Sequence, residues 1–184
     1  MKPKQNTRFT ILAISCLMFW ILQSVQAQPQ PTPKPGPEQK RLEEWGGKWK
    51  YQGTEMETPL GQKGNFSGTT TSRILVGGFV FESHDVEKTS DWLNLMWYES
   101  STKTYVSQSF QPSGSVTRGQ ATVNGNIWIN LGELQDLKGK HWKTRSTTTF
   151  SADGKSTEGK QEYSPDDGKT WLLWWTFTSK RVGK

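Results

Sequence analysis

The residues able to perform catalytic chemistry are few and scattered along the chain. Its two histidines, His84 and His141, have no spacing typical of metal ligands, so we predict no metal site. His84 directly precedes Asp85, but adjacent residues of a strand point to opposite faces, so the two cannot act as a catalytic pair. A surface or hydrogen-bonded histidine is the preferred interpretation of both.

Acidic residues could catalyse glycoside hydrolysis only where a fold brings two of them together. The candidates are Glu133, Asp136, Glu158 and Glu162, and their preferred interpretation is solvated strand and loop charges. We find no Ser-His-Asp arrangement and no phosphate-binding loop, because the glycine-rich pieces all lie in predicted turns. Enzymatic activity stays uncertain, with an inner acid or Tyr98 as the remaining candidates, and a binding function is preferred.

The first 27 residues have the order of a secretory signal peptide. Lys2, Lys4 and Arg8 precede an apolar run at 9–22, and small residues follow up to Ala27. The fourteen residues of this apolar run would rise only about 21 Å as a helix. They are therefore too short to cross the roughly 30 Å hydrocarbon core as a membrane anchor. We therefore expect cleavage near Ala27, export to the periplasm or medium, and no integral membrane segment in the mature protein.

Removal of the signal changes both the thiol content and the charge. Cys16, the only cysteine, lies inside the apolar run, which continues to residue 22, so we interpret it as part of the signal and not as a lipidation site. The mature chain then has no disulfide. The net charge of +6 falls to about +3, which predicts no nucleic-acid partner.

Turn signals divide the rest of the chain into strands. Residues 28–37 alternate with proline and predict a disordered spacer, and 38–184 form one domain with a short helix at 38–44. Nine turn clusters imply ten strands, typical of an all-β, antiparallel, up-and-down barrel or a sandwich. The clusters lie at 58–64, 77–78, 88–90, 100–102, 112–114, 124–125, 136–139, 153–154 and 165–168.

Alternation along these strands suggests an interior lined by aromatic rings and hydroxyl groups, as in a small-molecule cavity. The candidate lining consists of Trp49, Tyr51, Phe79, Phe81, Met96, Tyr105, Trp142, Trp171, Leu173 and Trp175. The candidate hydroxyls are those of Thr70, Ser72, Ser107, Ser109, Thr144, Ser146 and Thr148. The same hydroxyls could equally face solvent as an ordinary polar strand face.

Several segments carry a family resemblance in the order in which they occur. Leu42–Trp49 resembles the helix and Gly-x-Trp opening of lipocalin-like (calycin-type) barrels. The segments 72–80, 96–106, 143–150 and 175–180 resemble successive motifs of the uncharacterised family called domain of unknown function 1579. The resemblance covers about residues 40–181 and implies a lipocalin-like barrel, with no established reaction and no catalytic residues to transfer.

Resemblance to haem-binding members of the wider barrel superfamily makes a lone axial histidine worth testing. His84 is the better placed of the two. The preferred expectation remains that the protein holds no cofactor.

The segment 164–171 is similar to the Asp box of sialidase-type propellers. In it, Ser164, Asp166, Gly168 and Thr170 would form a hairpin turn, with Trp171 packed beneath. A propeller needs several such blades, and this chain has one copy. We therefore interpret the motif as a structural turn.

Two functions from different classes remain open. One is a lipocalin-like protein that binds a small apolar or amphipathic ligand inside the barrel. The alternative is a surface binder of glycan or protein that stacks its partner on outward-facing Trp97, Trp128 and Trp174.

The signal interpretation gives the first testable prediction. Mass spectrometry of the exported protein should find a mature chain that begins at or near Gln28. A mature form that begins at a lipidated Cys16 would contradict it.

Overall fold

The computed structural model describes residues 33–183, and the predicted signal peptide at 1–27 and the first half of the predicted spacer, 28–32, lie outside them. A short helix, α1 (Pro37–Arg41), continues into a 3₁₀ turn (Leu42–Trp45). Ten strands follow: β1 (Gly47–Glu55), β2 (Gly64–Leu75), β3 (Val80–Glu87), β4 (Asp91–Glu99), β5 (Thr104–Phe110), β6 (Val116–Asn124), β7 (Ile127–Gln135), β8 (His141–Phe150), β9 (Ser156–Ser164) and β10 (Leu172–Gly183). A 3₁₀ turn (Val76–Gly78) connects β2 to β3.

The strands form a closed antiparallel barrel in chain order. Each strand pairs with its neighbours in sequence, and β1 pairs with β10 to complete the ring. The predicted ten-stranded, up-and-down barrel with a short N-terminal helix is therefore confirmed. Of the two all-β architectures typical of this turn pattern, the chain adopts the one that leaves no open sheet edge.

Each of the nine predicted turn clusters overlaps one of the nine connections between strands, and the cluster predicted at 124–125 is shifted by one residue from the observed turn at 125–126. Gly125, in the two-residue turn between β6 and β7, has a φ of 60°, which a glycine adopts without steric cost. The short helix α1 begins at Pro37, one residue before the predicted start at residue 38. A proline fits the first helical position, because no backbone donor is needed there.

One end of the barrel is closed by the 3₁₀ turn that precedes β1. Trp45 packs edge-on against Phe150 and Trp128, with ring centroids 4.9 and 5.6 Å apart. The Trp49 indole donates to the Trp45 carbonyl at 3.1 Å, and the Arg181 guanidinium covers the Trp49 ring at 4.5 Å. The buried residues of this closed end are Leu42, Trp49, Phe81, Tyr105, Ala121, Trp128 and Phe150.

A second aromatic cluster lies toward the opposite end. Leu134, Trp142, Tyr163 and Trp174 are buried there, with Leu60 and Trp175 packed against them. The two clusters are separate, so the barrel interior is filled with side chains near its ends and not along its whole length. Within residues 33–183, no helix has the length and apolar character needed to cross a membrane.

Burial of Trp49 generates a stability prediction. Trp49→Ala should lower the free energy of unfolding by about 3–5 kcal/mol, because the side chain is 5% exposed and its loss leaves a cavity in the closed end. Chemical denaturation measures the change. The exposed neighbour Lys50 provides the control, since Lys50→Ala should change the free energy of unfolding by no more than about 0.5 kcal/mol. A loss below about 1 kcal/mol for Trp49→Ala would contradict the assignment of Trp49 to the core.

Candidate functional site

A cavity of about 720 Å³ occupies the barrel interior between the two aromatic clusters. Its mouth is formed by the connections β1–β2, β5–β6 and β7–β8, which contribute Leu60, Ser113 and Leu137 among others. The volume falls within the range of small-molecule sites in proteins. The cavity is therefore the candidate functional site.

Much of the cavity lining is aromatic and apolar. Five of the residues expected from the sequence contribute to it: Trp49, Tyr51, Phe81, Met96 and Trp175. The rings of Trp45, Phe66, Trp92, Trp174 and Phe177 also line it. Tyr105 and Trp142 are buried as well, but they pack in the closed-end cluster and the opposite cluster, respectively, and do not line the cavity.

Besides Tyr105 and Trp142, three further expected residues do not line the cavity, so the lining prediction was wrong for five of the ten. Phe79 precedes β3 and does not contact the cavity. Leu173 and Trp171 were expected on the same face as Trp175, but a β-bulge between Leu173 and Trp175 inserts one residue into β10. An inserted residue reverses the alternation, so Leu173 is exposed and the Trp171 ring stacks on Arg145 outside the barrel, at 4.4 Å.

The predicted outer tryptophan platform is also wrong in two of its three members. Trp128 is 2% exposed and Trp174 is 7% exposed, and both belong to the interior clusters. Trp97 alone lies on the outer face of the barrel, between Val80 and Val106 of the flanking strands, and it is half-buried.

Glycines in β1 and β9 create the space that two of the lining rings occupy. A Cβ atom built on Gly53 would lie 2.3 Å from Cζ of Phe66, and one on Gly159 would lie 2.6 Å from Cε1 of Phe177. Both distances are too short for any side chain. Phe66 and Phe177 therefore rest directly on bare backbone, which leaves the middle of the barrel open.

The hydroxyl groups face inward, which settles the choice that the sequence left open. Ser72, Thr144 and Thr148 are buried, and Ser146 shares their face of β8. The Ser72 hydroxyl donates to the carbonyls of Trp45 and Gly47. Those that line the cavity are Thr70, Ser107 and Ser109, together with Ser83, Thr157 and Ser179.

A hydrogen-bonded polar strip crosses the cavity wall from β2 to β5. The Asp85 carboxylate accepts hydrogen bonds from the Thr70 hydroxyl and the Asn94 amide. The same amide lies 3.1 Å from the Ser83 hydroxyl, and the Ser109 hydroxyl donates to the Asn94 side-chain oxygen. These bonds link side chains of four consecutive strands, so the strip is held rigidly in place.

Two further carboxylates near the strip have different environments. The Tyr51 hydroxyl donates to Glu87 at 3.2 Å, and burial together with the charges of Asp85 and Glu87 raises the pKa of Tyr51. Glu55 accepts from the Trp174 indole at 2.8 Å. Burial raises the pKa of Asp85, while the hydrogen bonds from Thr70 and Asn94 oppose that increase.

Sequence reasoning missed Asp85 as a site residue. It weighed Asp85 only against its neighbour His84 and separated the two correctly by strand alternation. The same alternation places Phe81, Ser83, Asp85 and Glu87 on one face of β3, and an aromatic first member indicates which face is inside. An inward carboxylate could have been identified from that pattern.

The remaining chemical candidates point outward or are already engaged. His84 is exposed and lies 3.1 Å from Asp91, and His141 is exposed, so neither reaches the cavity. Glu133 pairs with Lys143, Glu162 pairs with Arg145 and Lys160, and Glu158 is exposed. The structure therefore does not bring these acids together as a glycosidase pair.

Two further candidates lie at the ends of the interior. Asp136, near the mouth of the cavity, accepts from the Trp142 indole at 3.0 Å. Tyr98 packs against Tyr105 at the closed end, with ring centroids 5.2 Å apart. Among residues 33–183, no group of three or more histidine, cysteine and acidic side chains could hold a metal ion.

The Asp-box segment forms the hairpin turn between β9 and β10. Asp166 accepts from the Thr170 backbone amide at 2.7 Å and from the Ser164 hydroxyl at 2.9 Å, and the Gly168 amide donates to the Ser164 hydroxyl at 2.7 Å. Gly168 has a φ of 92°, in the region that favours glycine. Hydrogen bonds from the side chain and the backbone amide of Thr170, together with that from the Ser164 hydroxyl, lower the pKa of Asp166 to about 2.

The depressed pKa predicts a pH-dependent stability effect of the turn. An ionised Asp166 stabilises the folded state above its unfolded pKa of about 3.9, and this contribution is lost as the pH falls through about 2. Asp166→Ala should therefore lower Tm at pH 7, and the Tm difference from the wild type should narrow between pH 4 and pH 2. Asp167→Asn, which removes the adjacent charge, is the control and should change Tm little. A Tm difference for Asp166→Ala that is constant over this pH range would contradict the role of the carboxylate.

Comparisons with known proteins support the fold. No protein-family model matches the chain, and no curated protein matches it. Among solved structures, Rv2717c from M. tuberculosis matches with a TM-score of 0.54 and 11% identity, over 79% of this chain and 98% of that one.

Two further structures match with lower scores. A redesigned β-barrel, b11L5F_LGL, has a TM-score of 0.37 and 11% identity, over 77% of this chain and 95% of that one. EF1p2_mFAP2b bound to DFHBI has a TM-score of 0.38 and 14% identity, over 78% of this chain and 98% of that one. The likeness to Rv2717c shows a shared barrel fold, and the two lower scores carry no argument.

Proposed function

We propose that this chain is an exported, lipocalin-like protein that binds a small apolar or amphipathic ligand inside its barrel. The observation that carries the proposal is the cavity of about 720 Å³, which has an aromatic wall and a hydrogen-bonded polar strip between two packed clusters. Binding sites for small molecules combine these two kinds of lining, since the apolar wall supplies affinity and a few polar groups fix orientation.

The lining is not what stability alone would select. A core packed for stability is filled with Leu, Ile and Val, whose rotamers interlock. Here the side chains facing the central space include Asp85, Asn94 and Ser109, and withdrawing such polar groups from water costs free energy that their mutual hydrogen bonds must offset. This cost is understandable when the polar strip serves a ligand.

Export and family membership are part of the proposal and rest on the sequence. The basic, apolar and small-residue order of 1–27 supports cleavage near Ala27 and a secreted or periplasmic location. The ordered motifs between about 40 and 181 support membership of the family called domain of unknown function 1579. The closed ten-stranded barrel is compatible with both proposals.

The surface-binding alternative has lost its basis. It required a platform of outward tryptophans, and Trp128 and Trp174 are buried. A single half-buried Trp97 does not provide an extended stacking surface, so we retain the cavity as the binding site.

A neutral apolar fluorophore tests whether the cavity accepts a ligand. N-phenyl-1-naphthylamine should bind the wild-type protein saturably with a stoichiometry of one, and should quench the tryptophan emission from the rings around the cavity. Ser109→Phe should weaken binding about tenfold or more, because a ring in place of the hydroxyl would occupy the ligand volume.

The matched control is Gln108→Phe, which adds the same ring one residue away on the outer face of β5. It should leave the affinity unchanged. Absence of saturable binding to the wild type, or equal loss of affinity in both variants, would contradict the proposal.

A further inference from the structure

The cavity is unusual in the sign of its charge. Four carboxylates, those of Glu55, Asp85, Glu87 and Asp136, lie along its lining, against a single cation, Lys138, near the mouth. The chain as a whole has a net charge of +6, so the negative interior does not follow from the composition. An electronegative cavity favours a positively charged occupant.

All four carboxylates accept hydrogen bonds, and every donor is a neutral group. Glu55 accepts from the Trp174 indole, and Asp136 accepts from the Trp142 indole and from two backbone amides of its own turn. Asp85 and Glu87 are hydrogen-bonded as well, and they lie two residues apart on the inner face of β3.

Neither Asp85 nor Glu87 takes part in any ion pair within residues 33–183. Both are partly accessible, and because they face inward, that accessible surface belongs to the cavity. Carboxylates withdrawn from bulk water are normally paired with a cation. The raised pKa of Asp85, caused chiefly by burial, is the behaviour of a carboxyl group without such a partner.

A chain of aromatic rings adjoins these carboxylates. Trp92 is the cross-strand partner of Asp85, and its ring lies 6.5 Å from that of Trp175. Trp175 lies 6.5 Å from Phe66, and Phe66 lies 6.3 Å from Tyr51, whose hydroxyl bonds to Glu87. Aromatic faces attract organic cations through their quadrupoles, most strongly where water is excluded.

We infer that the ligand of this cavity is an organic cation, with a protonated amine or quaternary ammonium group held between the Asp85 and Glu87 carboxylates and the ring chain of Tyr51, Phe66, Trp92 and Trp175. The apolar body of the ligand then lies against Phe81 and Met96, on the same wall toward the closed end. This inference rests on the proposed function, because it names the class of ligand for the same cavity.

A series of compounds with one aromatic body and three charges tests the inference. The compounds are 1-naphthylmethylamine, which is protonated at pH 7, the neutral 1-naphthalenemethanol and the anionic 1-naphthoate. Tryptophan quenching and calorimetry give the Kd of each. The cation should bind about tenfold or more tightly than the alcohol, and the anion more weakly than the alcohol.

Three isosteric variants assign the preference to its residues. Asp85→Asn and Glu87→Gln should each weaken binding of the cation several-fold and leave binding of the alcohol unchanged. Glu158→Gln removes the same charge from the outer face of β9 and should change neither. Near-ultraviolet circular dichroism of each variant checks that the aromatic packing is intact, and if one inner variant does not fold, the other carries the test.

The possible failures are distinguishable from those of the proposed function. Equal binding of the cation and the alcohol, or a cation preference that survives in both inner variants, overturns the organic-cation inference, while saturable N-phenyl-1-naphthylamine binding leaves the cavity function standing. If neither that probe nor any naphthyl compound binds, the cavity function and the organic-cation inference are both contradicted.

Discussion

The interior of this protein is governed by the geometric constraint that ten strands closed into one ring enclose more space than the inward side chains of a small barrel can fill. The sequence meets this constraint with large rings placed at two levels. Trp45 and Trp49 help to close one end, and Trp142 and Trp174 pack toward the other. The space between these two levels is the cavity. It exists because the tryptophans pack near the two ends of the barrel and leave the middle unfilled.

The wall between the two levels is organised differently from either end. Glycines at 53 and 159 let Phe66 and Phe177 lie on the backbone, which keeps these rings out of the central space. Beside Phe66, on strands β2 to β4, hydrogen bonds from Thr70 to Asp85 and from Asn94 to Ser83 hold polar side chains in fixed positions. The lining is thus apolar where rings pack against bare backbone, and polar where side chains of neighbouring strands hydrogen-bond to one another.

The strand number and the connections could be predicted from the sequence, because each turn carries residues with a local conformational reason to be there. Gly125 and Asn126 form a two-residue hairpin turn, and the side chains of Ser164 and Asp166 accept hydrogen bonds from backbone amides of their own turn. Inward residues of regular strands, such as Phe81 and Met96, could also be predicted, because side chains of a strand alternate between the two faces of the sheet.

The errors have identifiable physical causes. Trp171 and Leu173 were misplaced because the β-bulge in β10 interrupts the alternation of inward and outward side chains. No residue type at that position indicates a bulge. Trp128 was misplaced because β7 is apolar on both faces, with Ile127 and Ile129 exposed at 39% each, so alternation does not identify the inner face. Asp85 was missed because the usual expectation places a carboxylate in solvent.

The ring of sequential strands also determines how the chain must organise itself in time. Nine of the ten strand pairs join neighbours in sequence and need only a short connection to form. The pairing of β1 with β10 joins residues as distant as Trp49 and Arg181, so its loop-closure entropy is by far the largest. We expect folding to proceed through a growing meander of hairpins, with the pairing of β1 and β10 as its last event.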